Sequence, residues 1–398
     1  MERIKATLTL LLTVGMLATA GCNTHQQRKQ EARLRYERAS SKAKLPLVRD
    51  LLKEDRLDEA YKLISQCVAI DPDNAESQAL KGEVAMAMGQ LDEAEQCLTR
   101  SVEIDPRLHR SWAHLGTIAQ ANKDPDRASD CFQKALELDP RNEEYIMLMV
   151  QASAAQGRYD EALGVLESKI ALMPNNVRLR IAEGDIRHRR GDVAGATLAY
   201  QQALVLDDDN PEVMESLGYC YIAQEQWARA ADLFQNLART ADGPQKTAYQ
   251  QVFATCSMKA GQYGRAVGVY DALSVQDRDN PDLWLQMGRA ALGGGQAPRA
   301  LACAERALVL RPGWEDAVAL KGCAQYLQAD YARALETFGG ISTSERLGGF
   351  AWLMRGRCHQ QLGQLTQAQA AYEKAAALNP DSRLVSLLAH PADNQEVR

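Results

Sequence analysis

Histidine and cysteine are the side chains of this sequence best suited to metal or nucleophilic chemistry, and their spacing argues against both. His25, His109, His114, His188, His359 and His390 are scattered, none at a metal-ligand spacing from a cysteine or carboxylate. Gly293-Gly294-Gly295 follows no strand and reads as a turn rather than a phosphate cradle. The expectation is therefore no catalytic residue, no cofactor and no metal. Of nine cysteines, Cys67, Cys97, Cys131, Cys220, Cys256, Cys303, Cys323 and Cys358 fall inside helix-like stretches, with no C-x-x-C among them. Buried free thiols serve there as small apolar residues. Cys303 and Cys323 lie on adjoining helical stretches and form the one pair that could be a bridge. Two groups of residues suit partner binding instead. Arg178, Arg180, Arg187, His188, Arg189 and Arg190 form a basic run that could hold an acidic segment or a phosphate-bearing group. Its last four residues also suit a helix C-terminus, where cations are favoured. Tyr326, Phe350, Leu353 and Arg357 combine aromatic, aliphatic and guanidinium groups, as protein-binding hot spots do. Phe350 has a second reading as a core residue.

The frame that must position these groups is soluble and acidic. Hydrophobic residues make up 46% and charged residues 25% of the 398, the balance of a folded protein. Aromatics at 6% make a large β-sandwich a poor expectation. The formal charge of −6 argues against nucleic acid. The N-terminal residues stand apart from this. Arg3 and Lys5 precede an apolar run from Ala6 to Ala20, short for a membrane span but suited to a signal-peptide core. The run ends Leu17-Ala18-Thr19-Ala20-Gly21-Cys22, which resembles a bacterial lipobox, with Thr19 in place of the usual leucine. That resemblance implies a leader over residues 1–21 and lipidation of Cys22. Asn23 is not the aspartate that would resemble an inner-membrane retention signal, which tilts the expectation to the outer membrane. Residues 22–44 carry Arg28, Lys29, Arg33, Arg35, Arg38, Lys42 and Lys44 against Glu31 and Glu37, with no Gly or Pro. They read as a basic helical tether of net +5, either a solvated spacer or a segment resting on anionic lipid. Residues 45–398 are left with −12.

The rest of the chain repeats. From Ala60 a step of 34 residues reaches Ala94, Ala128, Ala162, Ala196 and Ala230, and after a two-residue insertion Ala266, Ala300, Ala334 and Ala368. Twelve residues before each alanine comes a second small site: Gly82, Gly116, Gly184, Gly218, Gly288, Gly322 and Gly356, with Ala254 in the seventh copy and Val48 and Val150 as exceptions. Four residues after it comes a large one, such as Phe132, Phe234, Phe338 or Tyr372. A short turn, often with Gly, separates the two small sites, and proline closes many copies, from Pro72 to Pro380. Two helices per copy follow, each pair needing neighbours to bury its faces.

This pattern resembles the tetratricopeptide repeat family, most closely in the third copy with Trp112, Leu115, Gly116, Ala128, Phe132, Ala135 and Pro140. The resemblance implies an all-α superhelix (an α-solenoid) of ten helix-turn-helix units. Units 1–6 span 41–242 and units 7–10 span 247–382. Within 383–398, Leu384, Val385, Leu387 and Leu388 form a capping helix before a polar tail. Residues 241–246 hold the insertion and are read either as a boundary between two arrays or as loop variation. Residues 339–349, rich in glycine, are read either as a flexible joint or as loop variation. The family's groove, lined by the first helix of each copy, holds proteins or peptides. Glu76, Ala79, Leu80 and Glu83 in the second copy and Glu144, Met147, Leu148 and Gln151 in the fourth would face it. No three successive copies carry the lysine, asparagine and arginine set that clamps a C-terminal carboxylate in some members.

The function expected is a non-catalytic protein-binding scaffold, anchored by lipid in a bacterial envelope membrane, outer rather than inner, facing the periplasm. It resembles repeat lipoproteins that serve envelope, secretion or pilus assembly. Two other readings stand beside it: an adaptor for an envelope enzyme, such as a peptidoglycan hydrolase or a polysaccharide exporter, and a cytosolic scaffold whose N-terminus is no leader.

Overall fold

A computed structural model describes residues 2–382 with 388 and 389, with side chains from residue 26 onward. The described residues form twenty α-helices and no strand. Helix α1 runs from Glu2 to Lys53 without a break. From there first and second helices alternate, the first mostly of 13 residues and the second of 14 apart from α18, from α2 (Leu57–Ile70) and α3 (Ala75–Ala87) to α19 (Gly348–Gln361) and α20 (Leu365–Leu378). The all-α repeat reading of the sequence is what the chain adopts. Two compact units divide it, Met1–Gly191 and Asp192–Arg398, so the two helices of the fifth copy fall in different units.

In the first unit, the C-terminal part of α1 is the first helix of the first copy. Leu45, Val48 and Leu51 are buried with Ala60, Ile64 and Cys67 of α2. The packing reaches back into the basic segment. Arg38 pairs with Asp71 at 3.2 Å, and the buried Ser41 hydroxyl donates to the Cys67 carbonyl at 3.2 Å. The side chain of Cys22 lies outside the described residues, as do most residues of the expected capping helix and the polar tail after it. Among the described residues no helix is long and apolar enough to cross a membrane.

The register alanines explain the period. All ten, from Ala60 to Ala368, are buried. The large residue one turn later does more than fill space beyond them. A Cβ built on Gly116 would stand 2.5 Å from Phe132 Cε1, and Gly218, Gly322 and Gly356 meet Phe234, Phe338 and Tyr372 in the same way. The glycine site is therefore small because the ring of the second helix lies flat on its backbone. In the eighth copy the large residue is replaced by Ala304, and Leu320 from the next copy comes within 2.6 Å of the Gly288 Cβ position instead.

Caps and turns set the ends of the helices. Asn74, Asn142, Asn176 and Asn210 accept from backbone amides two or three residues into the first helices. Three of them stand two residues after Pro72, Pro140 and Pro174, which cannot continue the helix before. Each turn within a copy carries one residue at positive φ: Gly89, Gly157, Gly191, Gly261, Gly295 and Gly363, but also Asp55, Lys123, Glu225 and Ala329 at φ of 56–61°.

In the second unit the insertion changes one helix. α13 (Gly243–Lys259) has 17 residues, begins at a glycine of φ 56°, and packs with α12 (Trp227–Thr240). The insertion thus lies inside one compact unit, not at the division between two. Further on, α18 stops after nine residues, Tyr331–Gly339, and a turn-rich connection leads to α19. That connection is pinned: Ile341 is buried, the Ser344 hydroxyl donates to Glu315 Oε2 at 2.9 Å, and Arg346 pairs with Asp316 at 2.5 Å.

Candidate partner-binding surfaces

Glu76, Ala79, Leu80 and Glu83, which the register puts on the groove side of α3, all line one recess of about 270 Å³ in the first unit. Arg49 from α1 and His109 and Arg110 from α5 (His109–Ala121) close it. The walls are charged and tied together. Arg49 pairs with Glu76, and Arg110 Nη2 lies 3.4 Å from Glu83 Oε2. His114 Nε2 lies 3.5 Å from Glu83 Oε1, a long contact that leaves this buried nitrogen without a good hydrogen bond. Burial alone would push the Glu83 carboxyl up; the close approach and charge of His114, with Arg110 and Arg49, outweigh it and hold the carboxyl below its usual range. His109 Nδ1 meets the Tyr145 hydroxyl at 2.8 Å, their rings 5.6 Å apart. Burial first, then the charge of Glu144, pushes Tyr145 up to about 12. The recess is a preorganised polar floor with an apolar patch at Ala79 and Leu80. It can accept backbone and basic or amide groups of an extended chain.

The basic run of the fifth copy is less basic in space than in sequence. On α9 (Val177–Arg189), Glu183 is 4% exposed and takes Arg180 at 3.1 Å and Arg187 at 2.8 Å. Arg187 also reaches Glu167 at 3.4 Å, Arg190 pairs with Asp160 at 2.6 Å, and Arg178 pairs with Glu143. His188 and Arg189 are exposed at the helix end. Four of the six residues thus already hold carboxylates of their own chain.

The aromatic group of the ninth and tenth copies is divided. Phe350 stacks edge-on against the buried Phe338, centroids 6.0 Å apart, and belongs with the apolar cluster there. Tyr326 stacks on Tyr331 at 5.4 Å. Leu353 and Leu388, the one described leucine of the expected capping segment, each pack against the small cluster of Ala368, Tyr372 and Ala389. Arg357 is exposed. Phe350 thus takes its core reading, and Leu353 is covered by its own chain.

A second recess, of about 760 Å³, lies in the second unit where the insertion lengthens α13. Pro211, Met214, Leu237, Thr240, Gln245 and Tyr249 are among its lining, and the Tyr249 hydroxyl donates to Glu215 Oε2 at 2.7 Å. The sequence signal for it is the insertion itself, which the reading above treats only as a boundary or loop.

All eight cysteines from Cys67 to Cys358 are free thiols, so the bridge considered between Cys303 and Cys323 is not made. Burial pushes both, and Cys358, up to about 11. Among the described residues no group of three or more His, Cys, Asp or Glu is placed to hold a metal ion.

Paired helices crossing at small residues, with a lined recess on the first helices, define a helical-repeat protein whose fold is that of a scaffold binding other proteins or peptides. Residues 51–117, 109–142, 181–245, 257–317 and 349–382 each match a model of the tetratricopeptide repeat. The chain belongs to the tetratricopeptide repeat family. It is 24% identical over 233 residues to BBSome complex member BBS4 of Bos taurus, covering 58% of this chain and 44% of that protein. It is 28% identical over 154 residues to cellulose synthase operon protein C of Xanthomonas axonopodis pv. citri, covering 37% of this chain and 10% of that one. The chain therefore spans less than half the length of either. Among solved structures, PilW, a type IV pilus biogenesis factor, superposes with a TM-score of 0.43 at 16% identity, over 52% of this chain and 97% of PilW.

Proposed function

We propose that this chain is a scaffold held by a lipidated Cys22 in a bacterial envelope membrane, the outer one and on its periplasmic side, where it gathers other proteins. The observation that carries the binding half of this reading is the recess whose floor is Glu83. It presents a fixed set of charges beside a small apolar patch, on first helices of successive copies. A bound segment meets groups already oriented, so little ordering entropy is lost on binding. The anchoring half is supported by the apolar run that stops at Ala20-Gly21-Cys22. Envelope, secretion or pilus complex assembly is the process that fits such a scaffold.

The test has two arms. Cells expressing the chain are fed a fatty-acid analogue, and the wild type is expected to carry the label and fractionate with membranes, while Cys22→Ser does neither. Label retained by Cys22→Ser would remove the anchor, and an unlabelled wild type in the soluble fraction would favour a cytosolic scaffold. In the second arm, Ala79→Trp fills the recess and is expected to release proteins that co-purify with the wild type. An unchanged set of co-purifying proteins would move binding elsewhere. A second reading, an adaptor for an envelope enzyme of polysaccharide synthesis or export, is supported by the stretch shared with cellulose synthase operon protein C. It differs in expecting such an enzyme among the captured proteins.

A further inference from the structure

From the second copy on, the residue just before the glycine site is buried or half-buried within its copy, whereas Leu47 of the first is exposed. Leu115, Met149, Leu217, Phe253 and Met287 fill that place in five copies. Four copies put a charge there instead: Lys81, Glu183, Lys321 and Arg355. Three of these have a partner of opposite sign. Lys81 holds Glu93 at 2.7 Å, Glu183 holds Arg180 and Arg187, and Lys321 reaches Glu305 on the second helix of the preceding copy at 3.5 Å. Arg355 makes no ion pair and no hydrogen bond among the described residues, and its Nε is buried with nothing to bond. An enclosed donor left unbonded costs about 1–3 kcal/mol, so such groups are rare in folded chains.

The reason lies in the preceding copy. Thirty-four residues after Glu305, the place that supplies the carboxylate to Lys321 is taken by Gly339. There α18 ends, five residues short of its counterparts, and the place of Glu305 carries no side chain at all. Instead the guanidinium lies 4.2 Å from the centroid of Trp352, and Lys374 Nζ lies 4.3 Å from the same ring. The Trp352–Lys374 contact repeats that of Trp112 with Lys134 in the third copy, where the place of Arg355 is the apolar Leu115. What is peculiar to the tenth copy is a second cation on the ring and, among the described residues, no ion pair for either.

We infer that Arg355, with Trp352 and Lys374, is the receptor for a carboxylate side chain of an acidic segment in a partner protein, on a surface distinct from the groove. The planar guanidinium takes a carboxylate through two parallel N–H···O bonds, the indole holds its plane, and Lys374 adds a second charge. This goes beyond the scaffold reading, and depends neither on the lipid nor on the recess at Glu83.

Binding of a dye-labelled hexaglutamate peptide to the purified full chain, followed by fluorescence anisotropy at constant ionic strength, tests it. Arg355→Met is expected to weaken binding by roughly tenfold or more, as for an arginine hot spot. Arg355→Lys should lie between, and Arg141→Met, an exposed arginine of the first unit outside the basic run, should leave it unchanged. Because no ion pair is lost, Arg355→Met should melt no lower than the wild type; if that variant fails to fold, Arg355→Lys carries the comparison. Equal binding by wild type and Arg355→Met, or an equal loss in Arg141→Met, overturns the proposal. So does binding of inorganic phosphate in preference to the peptide, which would make the site one for phosphate. Peptide binding that emerges only in Asp393→Asn with Glu396→Gln would assign the site to the chain's own tail and overturn it too.

Discussion

Phe132 lies so close over Gly116 that a methyl group on the glycine would sit 2.5 Å from the ring. This contact, repeated between the glycine site and the large residue 16 positions on, sets how near the two helices of a copy approach. Gly116→Ala gains helix propensity of about 1 kcal/mol but overpacks a rigid ring at about 1–3 kcal/mol. A net loss of stability is expected. Gly164, inside α8 (Tyr159–Leu172) with no atom within 4 Å of its Cβ position, is the control. Gly164→Ala should gain up to about 1 kcal/mol. Urea midpoints of the two variants should move in opposite directions; two stabilised proteins would show that the ring yields.

Ala329 holds φ 61° in the turn of the ninth copy, where six other copies have glycine. A side chain in this region costs roughly 1–2 kcal/mol. Ala329→Gly should recover about 1 kcal/mol despite the greater freedom of glycine in the unfolded chain. A lower melting temperature in calorimetry would refute it.

Glu183 is the buried centre of an arginine pair whose side chains are 23% and 21% exposed. Removing it by Glu183→Ala takes the near carboxylate from both cations and should cost about 3 kcal/mol, the lower end for breaking a buried pair, because the arginines reach water and Arg187 keeps Glu167. The double variant Glu183→Met with Arg187→Met restores the apolar residue seen at Met149 and Met287, and should recover most of that loss. Chemical denaturation of the single and double variants separates the two outcomes; a double variant as weak as the single would deny the register argument.

The carboxyl of Glu83 is held below its usual range in the folded chain. A lowered folded pKa contributes stability that is present above the unfolded value, about 4.3, and is lost as pH falls through the lower folded value. The melting temperature of wild type should thus exceed that of Glu83→Gln near neutrality, with the gap closing between about pH 5 and about pH 2. A gap independent of pH would mean that the histidine and arginines do not favour the ionised form.

Thiolates form reluctantly in this protein. Burial pushes Cys303, Cys323 and Cys358 up to about 11, and seven of the eight cysteines are buried. A thiol-specific chromogenic reagent at about pH 8 should react slowly with the native chain and report eight thiols after denaturation of the Cys22→Ser variant. Fewer than eight would reveal a bridge.

The period, the two small sites and the prolines are enough to determine ten copies of a helix pair, because each reflects a local demand: a crossing, a ring on a backbone, a helix end. The groove face of the second copy follows from the same register, and Glu76, Ala79, Leu80 and Glu83 meet in one recess. Pairing of charges between helices does not follow, because its partners are neighbours in space and distant in sequence. Hence the basic run reads as open in the sequence while Glu143 and Asp160, from the preceding copy, take Arg178 and Arg190 in the fold; the ties of Arg180 and Arg187 to Glu183 are local to one helix and are legible. Lys123, Glu225 and Ala329 carry no local sign of a left-handed turn; the closure of each helix pair imposes it on them. Arg355 is the converse. Its sequence resembles that of Lys321, and only the early end of α18 leaves it without the carboxylate that Lys321 finds.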